Sequence, residues 1–171
     1  MTETSDHVDR WLEEIRGELP PDLDLTVEGV VDRILGIGRR LQKLLDETLA
    51  GHGLSHGEWK VLSSLRWAGS PYRRSAGELA RIADLSSGAM TNRLDRLEEA
   101  GLVLRLPDPN DRRGVLLELT DKGRALWQEA IGAQAEKEAL FASALTKAEQ
   151  EQLNGLLRRL MLEFEERGIE K

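Results

Sequence analysis

The chain has 171 residues, a formal net charge of -7, 40% hydrophobic and 32% charged residues, and no cysteine. That length carries one domain with a real core and not two large ones, and the balance of apolar and charged side chains describes a globular protein rather than a disordered one. Without cysteine there are no disulfides, thiolate metal sites or cysteine-based redox sensing, and an acidic chain cannot attract a polyanion by bulk charge alone.

The first predicted element is a short helix in SDHVDRWLEEIRGEL, ahead of Pro20 and Pro21, with Val8, Trp11, Leu12 and Ile15 on one side. The opening residues hold neither a basic region nor an apolar run, and no later stretch reaches the roughly 18 apolar residues of a membrane span. The expectation is a cytoplasmic protein with no membrane partner. Apolar residues three and four apart, namely Val30, Ile34, Ile37, Leu41, Leu44 and Leu45, then predict a helix over 26–50. Three Ser/Thr-x-x-Glu boxes, Ser55 to Glu58, Ser75 to Glu78 and Thr146 to Glu149, satisfy orphan amides from both directions and predict helix starts near 55, 75 and 146. Ser86 opens another helix that ends near Gly101. Thr120, with Asp121 in the first turn, caps a long helix over 121–143 carrying Leu126, Ala130, Ile131, Leu140 and Phe141. Only LVLRL and VLLEL depart from helix: both are short and rich in Leu and Val, and PDPNDRRG between them favours a turn, so they form a hairpin.

This order has a meaning. A capped helix from Ser75 to about Ala83, a tight turn through Asp84 and Leu85, and a second helix from Ser86 make a helix-turn-helix, and the hairpin follows as a wing. On the second helix Met90, Leu94 and Leu97 fall together toward a core, leaving Gly88, Asn92 and Arg96 opposite, with Thr91 and Arg93 at the flanks. An outward face that is small and polar suits a major groove. At the wing tip Asp111 and Arg113 are two apart and share one side of the hairpin, so the carboxylate can orient a guanidinium aimed at a minor groove. Local placement of arginines, not bulk charge, would then bind DNA. The plainer alternative is an amphipathic helical protein whose Arg112-Arg113 pair is solvated.

The run from HGLSHGEWKVLSSLRWAG through SAGELARIADLSSGAMTNRLDRLEEAGLV to PDPNDRRGVLLELTDKGRAL, within roughly residues 26–165, resembles the MarR family of bacterial winged-helix transcription regulators. Its sharpest parts are SSGAMTNRLDRLEEAGLV and DPNDRRG followed by LT-x-x-G. The resemblance implies a mainly α winged helix-turn-helix fold with a small β-hairpin wing. It further implies a bacterial cytoplasmic homodimer held by N- and C-terminal helices and bound to a pseudo-palindromic operator. The apolar stripe Leu153, Leu156, Leu157, Leu160, Met161 and Phe164 on the last helix agrees with such a dimer. The implied organisation is an N-terminal extension over 1–24, dimerisation helices over 25–54 and 121–171, and a DNA-binding lobe over 55–120. The recognition-helix set is Ser86, Ser87, Gly88, Ala89, Thr91, Asn92, Arg93 and Arg96, and the wing set is Asp108, Asp111, Arg112 and Arg113.

The resemblance also implies a small phenolic or anionic effector that relieves repression, with activation as the alternative sign. A urate-responsive branch adds an N-terminal helix bearing a tryptophan, to which SDHVDRWLEEI is similar. Here Trp11 lies one helical turn before that position, where Ile15 stands, and Lys60, not an aspartate, follows Trp59. Arg93 and Arg105 match the branch's arginines. The reversed charge counts against urate itself, while another anion would find Lys60 attractive. The implied ligand pocket is therefore Trp11, Ile15, Trp59, Lys60, Arg93 and Arg105. A plainer reading makes Trp11 a hydrophobic anchor and Trp59 and Trp67 core or pocket wall; Tyr72 is left open.

One motif points to an enzyme. Gly53-Leu54-Ser55-His56-Gly57 is formally the G-x-S-x-G elbow of serine hydrolases. That elbow needs a strand before it, and LLDETLAGH reads as a helix end. The acid and histidine should also follow the serine, yet the histidines are His7, His52 and His56 and no acid separates Ser55 from His56. Ser55 is better explained as a helix cap. His52 and His56 share no helical face for a metal, and Gly36-x-Gly38 has no preceding strand for a phosphate loop. No catalytic residue, metal or cofactor is expected.

Overall fold

The computed structural model describes residues 5–83, 87–109 and 111–169, and of Ser87, Arg112 and Arg113 the backbone alone. In chain order the elements are α1 (His7–Ile15), a 3-10 turn (Arg16–Glu18), α2 (Leu25–Gly51), α3 (His56–Trp67), β1 (Arg73–Ser75), α4 (Ala76–Ala83), α5 (Ser87–Glu99), β2 (Val103–Asp108), β3 (Asp111–Leu119), α6 (Asp121–Ala142) and α7 (Lys147–Glu166). The fold is mainly helical, as the periodicities predict. The chain divides into two compact units, Met1–Trp59 and Lys60–Lys171.

In the first unit α1 is capped by Asp6, whose side chain accepts from the amides of Val8 and Asp9 while Asp9 answers the Asp6 amide. Val8 and Leu12 are buried, but Trp11 remains 45% exposed. The hydrophobic anchors of α1 are therefore Val8 and Leu12, and the reading of Trp11 as an anchor is corrected. A clasp ties α1 to α2: the Arg33 guanidinium reaches Asp6 at 2.9 Å and Asp9 at 2.6 Å. Hydrogen bonding to Arg33 lowers the Asp6 carboxyl to about 2 and holds Asp9 below its ordinary value. Because both acids are depressed in the folded state, the clasp contributes above the ordinary carboxylate pKa of about 4 and is lost as pH falls toward 2. The difference in tryptophan emission between the parent and Trp11→Phe should stay constant from pH 7 to about pH 4 and change between about 4 and 2. A constant difference down to pH 2 would show that the clasp does not hold α1.

In the second unit Leu62, Leu65, Leu79, Leu97, Val103 and Leu117 are fully buried and form the core under the helix-turn-helix and the sheet. Trp67, two residues past Leu65 and therefore turned off the buried face of α3, is 71% exposed. The expectation that it is core is corrected. The sheet has three antiparallel strands in the order β1-β3-β2, so β3 is central. β1 is an addition to the expected hairpin: Arg73, Arg74 and Ser75 pair with Glu118, Leu117 and Leu116. Three residues are too few for an alternating signal to show in a sequence. The hairpin itself is longer than expected, because Pro107 and Asp108 continue β2 and Asp111 begins β3. The register breaks between Pro107 and Asp108.

The turn from wing to α6 is closely packed. Gly101, at φ +70, ends α5 in a left-handed conformation that glycine adopts without strain. The Thr120 hydroxyl donates to the carbonyls of Gly101 and Leu102 and accepts from the Gly123 amide at 2.9 Å. A Cβ on Gly123 would sit inside the van der Waals surface of the Leu102 carbonyl oxygen and 2.8 Å from Leu119 Cδ1.

Candidate nucleic-acid interface

α4 is capped as expected. The Ser75 amide and hydroxyl both donate to Glu78 Oε2, at 2.8 and 2.9 Å, and the Glu78 amide donates back to Ser75 Oγ. These bonds from Ser75 hold the Glu78 carboxyl below its ordinary value. The turn through Asp84 and Leu85, and Ser86, lie outside the described residues, as does the side chain of Ser87.

α5 presents two faces. Met90, Leu94 and Leu97 are 2%, 3% and 1% exposed. Gly88, Ala89, Thr91, Asn92 and Arg96 are exposed and Arg93 is half-buried. No ion pair or hydrogen bond to another described residue engages the side chains of Asn92 and Arg93. Gly88 has no described residue within 4 Å of where a Cβ would stand, so packing among the described residues does not demand its smallness.

The acidic residues of α5 are handled by the wing. Arg105 on β2 reaches Asp95 at 2.6 Å and Glu98 at 3.1 Å. Half of the negative charge that these two carboxylates would turn on a phosphate backbone is offset by the one guanidinium, and β2 is tied to the recognition helix. The family resemblance places Arg105 in a ligand pocket; in the structure its guanidinium is engaged by α5. Arg105→Ala should weaken duplex binding by about tenfold while costing the isolated protein less than about 1 kcal/mol, because these partly exposed pairs contribute little to folding. Fluorescence anisotropy with a parallel thermal melt checks both halves.

At the wing tip Asp111 is exposed and Asp108 half-buried. The backbones there come close: a Cβ on Gly114 would lie 2.8 Å from that of Asp108 and 3.0 Å from that of Asp111. The side chains of Arg112 and Arg113, and hence the expected Asp111-Arg113 partnership, lie outside the described residues.

The implied ligand residues fall on four elements: Trp11 and Ile15 on α1, Trp59 and Lys60 on α3, Arg93 on α5 and Arg105 on β2. Trp59 is buried at 8% exposure and Lys60 is exposed. Within the first unit Trp11 lines a cleft of about 210 Å3 with His7, Val8, Asp32 and Arg39. There Asp32 Oδ2 is buried with no hydrogen-bond donor among the described residues, a feature no spacing rule would find.

The histidines and Ser55 do other work. Ser55 donates from its amide and hydroxyl to Glu58 Oε2, both at 2.7 Å, as a helix cap. α2, not a strand, precedes it, so the serine-hydrolase alternative falls. His56 Nδ1 lies 2.8 Å from Gln42 Nε2 and His52 Nδ1 2.8 Å from the Thr48 carbonyl. Among the described residues no three His, Cys, Asp or Glu side chains group as metal ligands, and no described helix is long and apolar enough to cross a membrane.

Comparison with known proteins agrees with this architecture. The MarR family model matches residues 54–115, which span α3 through most of the wing. The chain is 33% identical over 158 residues to the HTH-type transcriptional regulator PecS of Dickeya dadantii, covering 92% of each. It is 31% identical to a mutant MarR of E. coli complexed with operator DNA, with a TM-score of 0.61 over 81% of this chain and 98% of that one. The chain belongs to the MarR family. A second similar structure is NadR in complex with 4-hydroxyphenylacetate, 25% identical with a TM-score of 0.58, covering 83% of this chain and 95% of that one. Membership of the MarR family makes this chain a DNA-binding transcription regulator with a winged helix-turn-helix.

Proposed function

We propose that the protein is a ligand-responsive repressor that binds a pseudo-palindromic operator as a homodimer in the bacterial cytoplasm. The observation that carries this reading is the α5 face on which Asn92 and Arg93 stand without partners among the described residues. In it α5 reads the major groove through Ser86, Ser87, Gly88, Ala89, Thr91, Asn92, Arg93 and Arg96, and Asp108, Asp111, Arg112 and Arg113 form the wing contact. The likeness to an operator-bound MarR supports it. The DNA-binding lobe is 55–120, the dimer forms through 25–54 and 121–171, and 1–24 is an added arm. Exposed apolar stripes on α2 and on α7 support the dimer.

The effector is a small phenolic or anionic molecule. The NadR complex supports that class. So does the Trp11 cleft, where an anionic end can meet Arg39 with the indole as a wall. Of the set named from the sequence only Trp11 lines this cleft; Ile15, Trp59, Lys60, Arg93 and Arg105 do not.

The test is a selection of genomic fragments with the purified protein, followed by fluorescence anisotropy against scrambled DNA across a salt series. A palindromic fragment should bind at least about 1000-fold more tightly than scrambled duplex, and Arg93→Ala should cost about 1–3 kcal/mol of that preference. Equal and weak binding to both would overturn the operator reading. Release of that fragment by a phenolic or anionic compound, lost in Arg39→Ala, would support the effector cleft.

A further inference from the structure

Tyr72 has no role in the interface described above, yet the lobe is built around it. Its backbone φ is +62, a conformation that only glycine takes freely. Its carbonyl accepts from the Leu119 amide at 3.1 Å, so the ring is fixed beside the end of β3. Two guanidiniums stand at that ring, Arg66 and Arg124, each with Cζ 5.3 Å from the centroid. Arg66 is also 5.4 Å from the centroid of the Trp127 ring, and Trp127 is anchored by donating to Ser63 Oγ at 2.9 Å. Aromatic faces hold both cations in place without neutralising them.

The charge balance here is opposite to that of the chain. Arg66, Arg73, Arg74 and Arg124 come from α3, β1 and α6. Arg73 pairs with Glu118 and Arg124 with Asp121. Asp121, and after it the Tyr72 hydroxyl, keep Arg124 protonated. Arg74 donates to the Ser64 carbonyl at 2.9 Å, and neither it nor Arg66 has a carboxylate of a described residue within ion-pair distance. A local excess of positive charge therefore persists in a chain of net charge -7. It opens onto a cleft of about 300 Å3 lined by Arg66, Tyr72, Asp121, Arg124, Ala125 and Gln128. The Gln128 amide adds a neutral donor to the two guanidiniums.

We propose that this cleft is an oxyanion-binding site, in which Arg66, Arg124 and the Gln128 amide take the oxygens of a phosphate or carboxylate at the edge of Tyr72. The group bound is either a free small anion or a phosphate of the DNA backbone, and the chemistry of recognition is shared. Arg124 already has the Asp121 carboxylate, whereas Arg66 has none among the described residues, and an anion in the cleft would supply its counter-charge.

The test uses the full-length protein and follows the arginine side-chain Nε–Hε signals by NMR during titration with inorganic phosphate, ionic strength being held constant with chloride. Saturable shifts of Arg66 and Arg124, half-complete below about 10 mM, are expected. Ala125→Glu places a competing carboxylate on a helical position at the cleft and should abolish saturation while leaving circular dichroism and melting unchanged. Salt-dependent duplex binding separates the sources. If a DNA phosphate is the occupant, Arg66→Gln lowers the log-log slope by about 0.9; if a free anion is, the slope is unchanged and phosphate binding is saturable. The phosphate titration needs no DNA, so failure of the operator reading leaves it standing. Linear, chloride-like shifts together with an unchanged slope would overturn the proposal.

Discussion

Replacing Gly123 by alanine should lower the melting temperature by about 10 °C, an effect of about 3 kcal/mol, although the change adds one methyl group and improves helix propensity. The usual expectation for glycine in a helix is the reverse, since alanine is favoured there by up to about 1 kcal/mol. Here the added carbon would overlap the Leu102 carbonyl oxygen, which is backbone and cannot rotate away. That carbonyl also accepts from the Thr120 amide at 3.1 Å, so moving it breaks the bond that joins β3 to the end of α5. α6 would have to lift off the lobe, and the Thr120 cap would go with it. Calorimetric melting of Gly123→Ala beside Gly132→Ala, whose site is open, measures the difference directly. A Gly123→Ala protein as stable as Gly132→Ala would show that this close approach does not govern the junction.

The second large effect concerns assembly. Leu157→Glu with Leu160→Glu should leave the folded protomer intact, abolish the dimer and reduce affinity for the palindromic fragment by about 1000-fold or more. In one chain α7 has no buried residue, and Leu153, Leu156, Leu157, Leu160, Met161 and Phe164 are all exposed. An amphipathic helix of 20 residues with its apolar face open to water is unusual for a lone protomer, and a second copy is the occupant that the family membership suggests. Because neither leucine is buried within its own chain, glutamates there should act mainly on what covers them in the assembly. Sedimentation and anisotropy on the same sample separate assembly from binding. A double variant that still sediments as a dimer would place the interface elsewhere.

Much of this structure can be read from local chemistry. Ser55, Ser75, Thr120 and Thr146 each announce a helix because the capping hydrogen bonds close within four residues, and the structure has a helix starting directly after each one. The core face of α5 follows from spacing alone, for the same reason. What could not be read depends on partners distant in sequence. β1 is three residues that become a strand only because β3 supplies the ladder. Arg105 matches a ligand pattern, but its pairing with Asp95 and Glu98 requires β2 to fold back along α5. The gathering of Arg66, Tyr72, Arg124 and Trp127 joins residues as much as 61 positions apart, and no window of sequence contains it. Trp67 shows the converse error, since hydrophobicity suggested burial where helical phase dictated exposure.

The Arg105 clamp also makes salt act twice. Added electrolyte weakens contacts between the protein's cations and DNA in proportion to the counterions released, which gives a straight log-log plot. It screens the bridge from Arg105 to Asp95 and Glu98 as well, with a Debye length that falls from about 10 Å at 0.1 M to about 3 Å at 1 M. As the bridge fades, β2 loosens from α5 and the recognition helix loses a support. Binding by this lobe should thus bend downward at high ionic strength, so that an internal bridge remote from any base sets the upper limit of the conditions under which an acidic protein can stay on DNA.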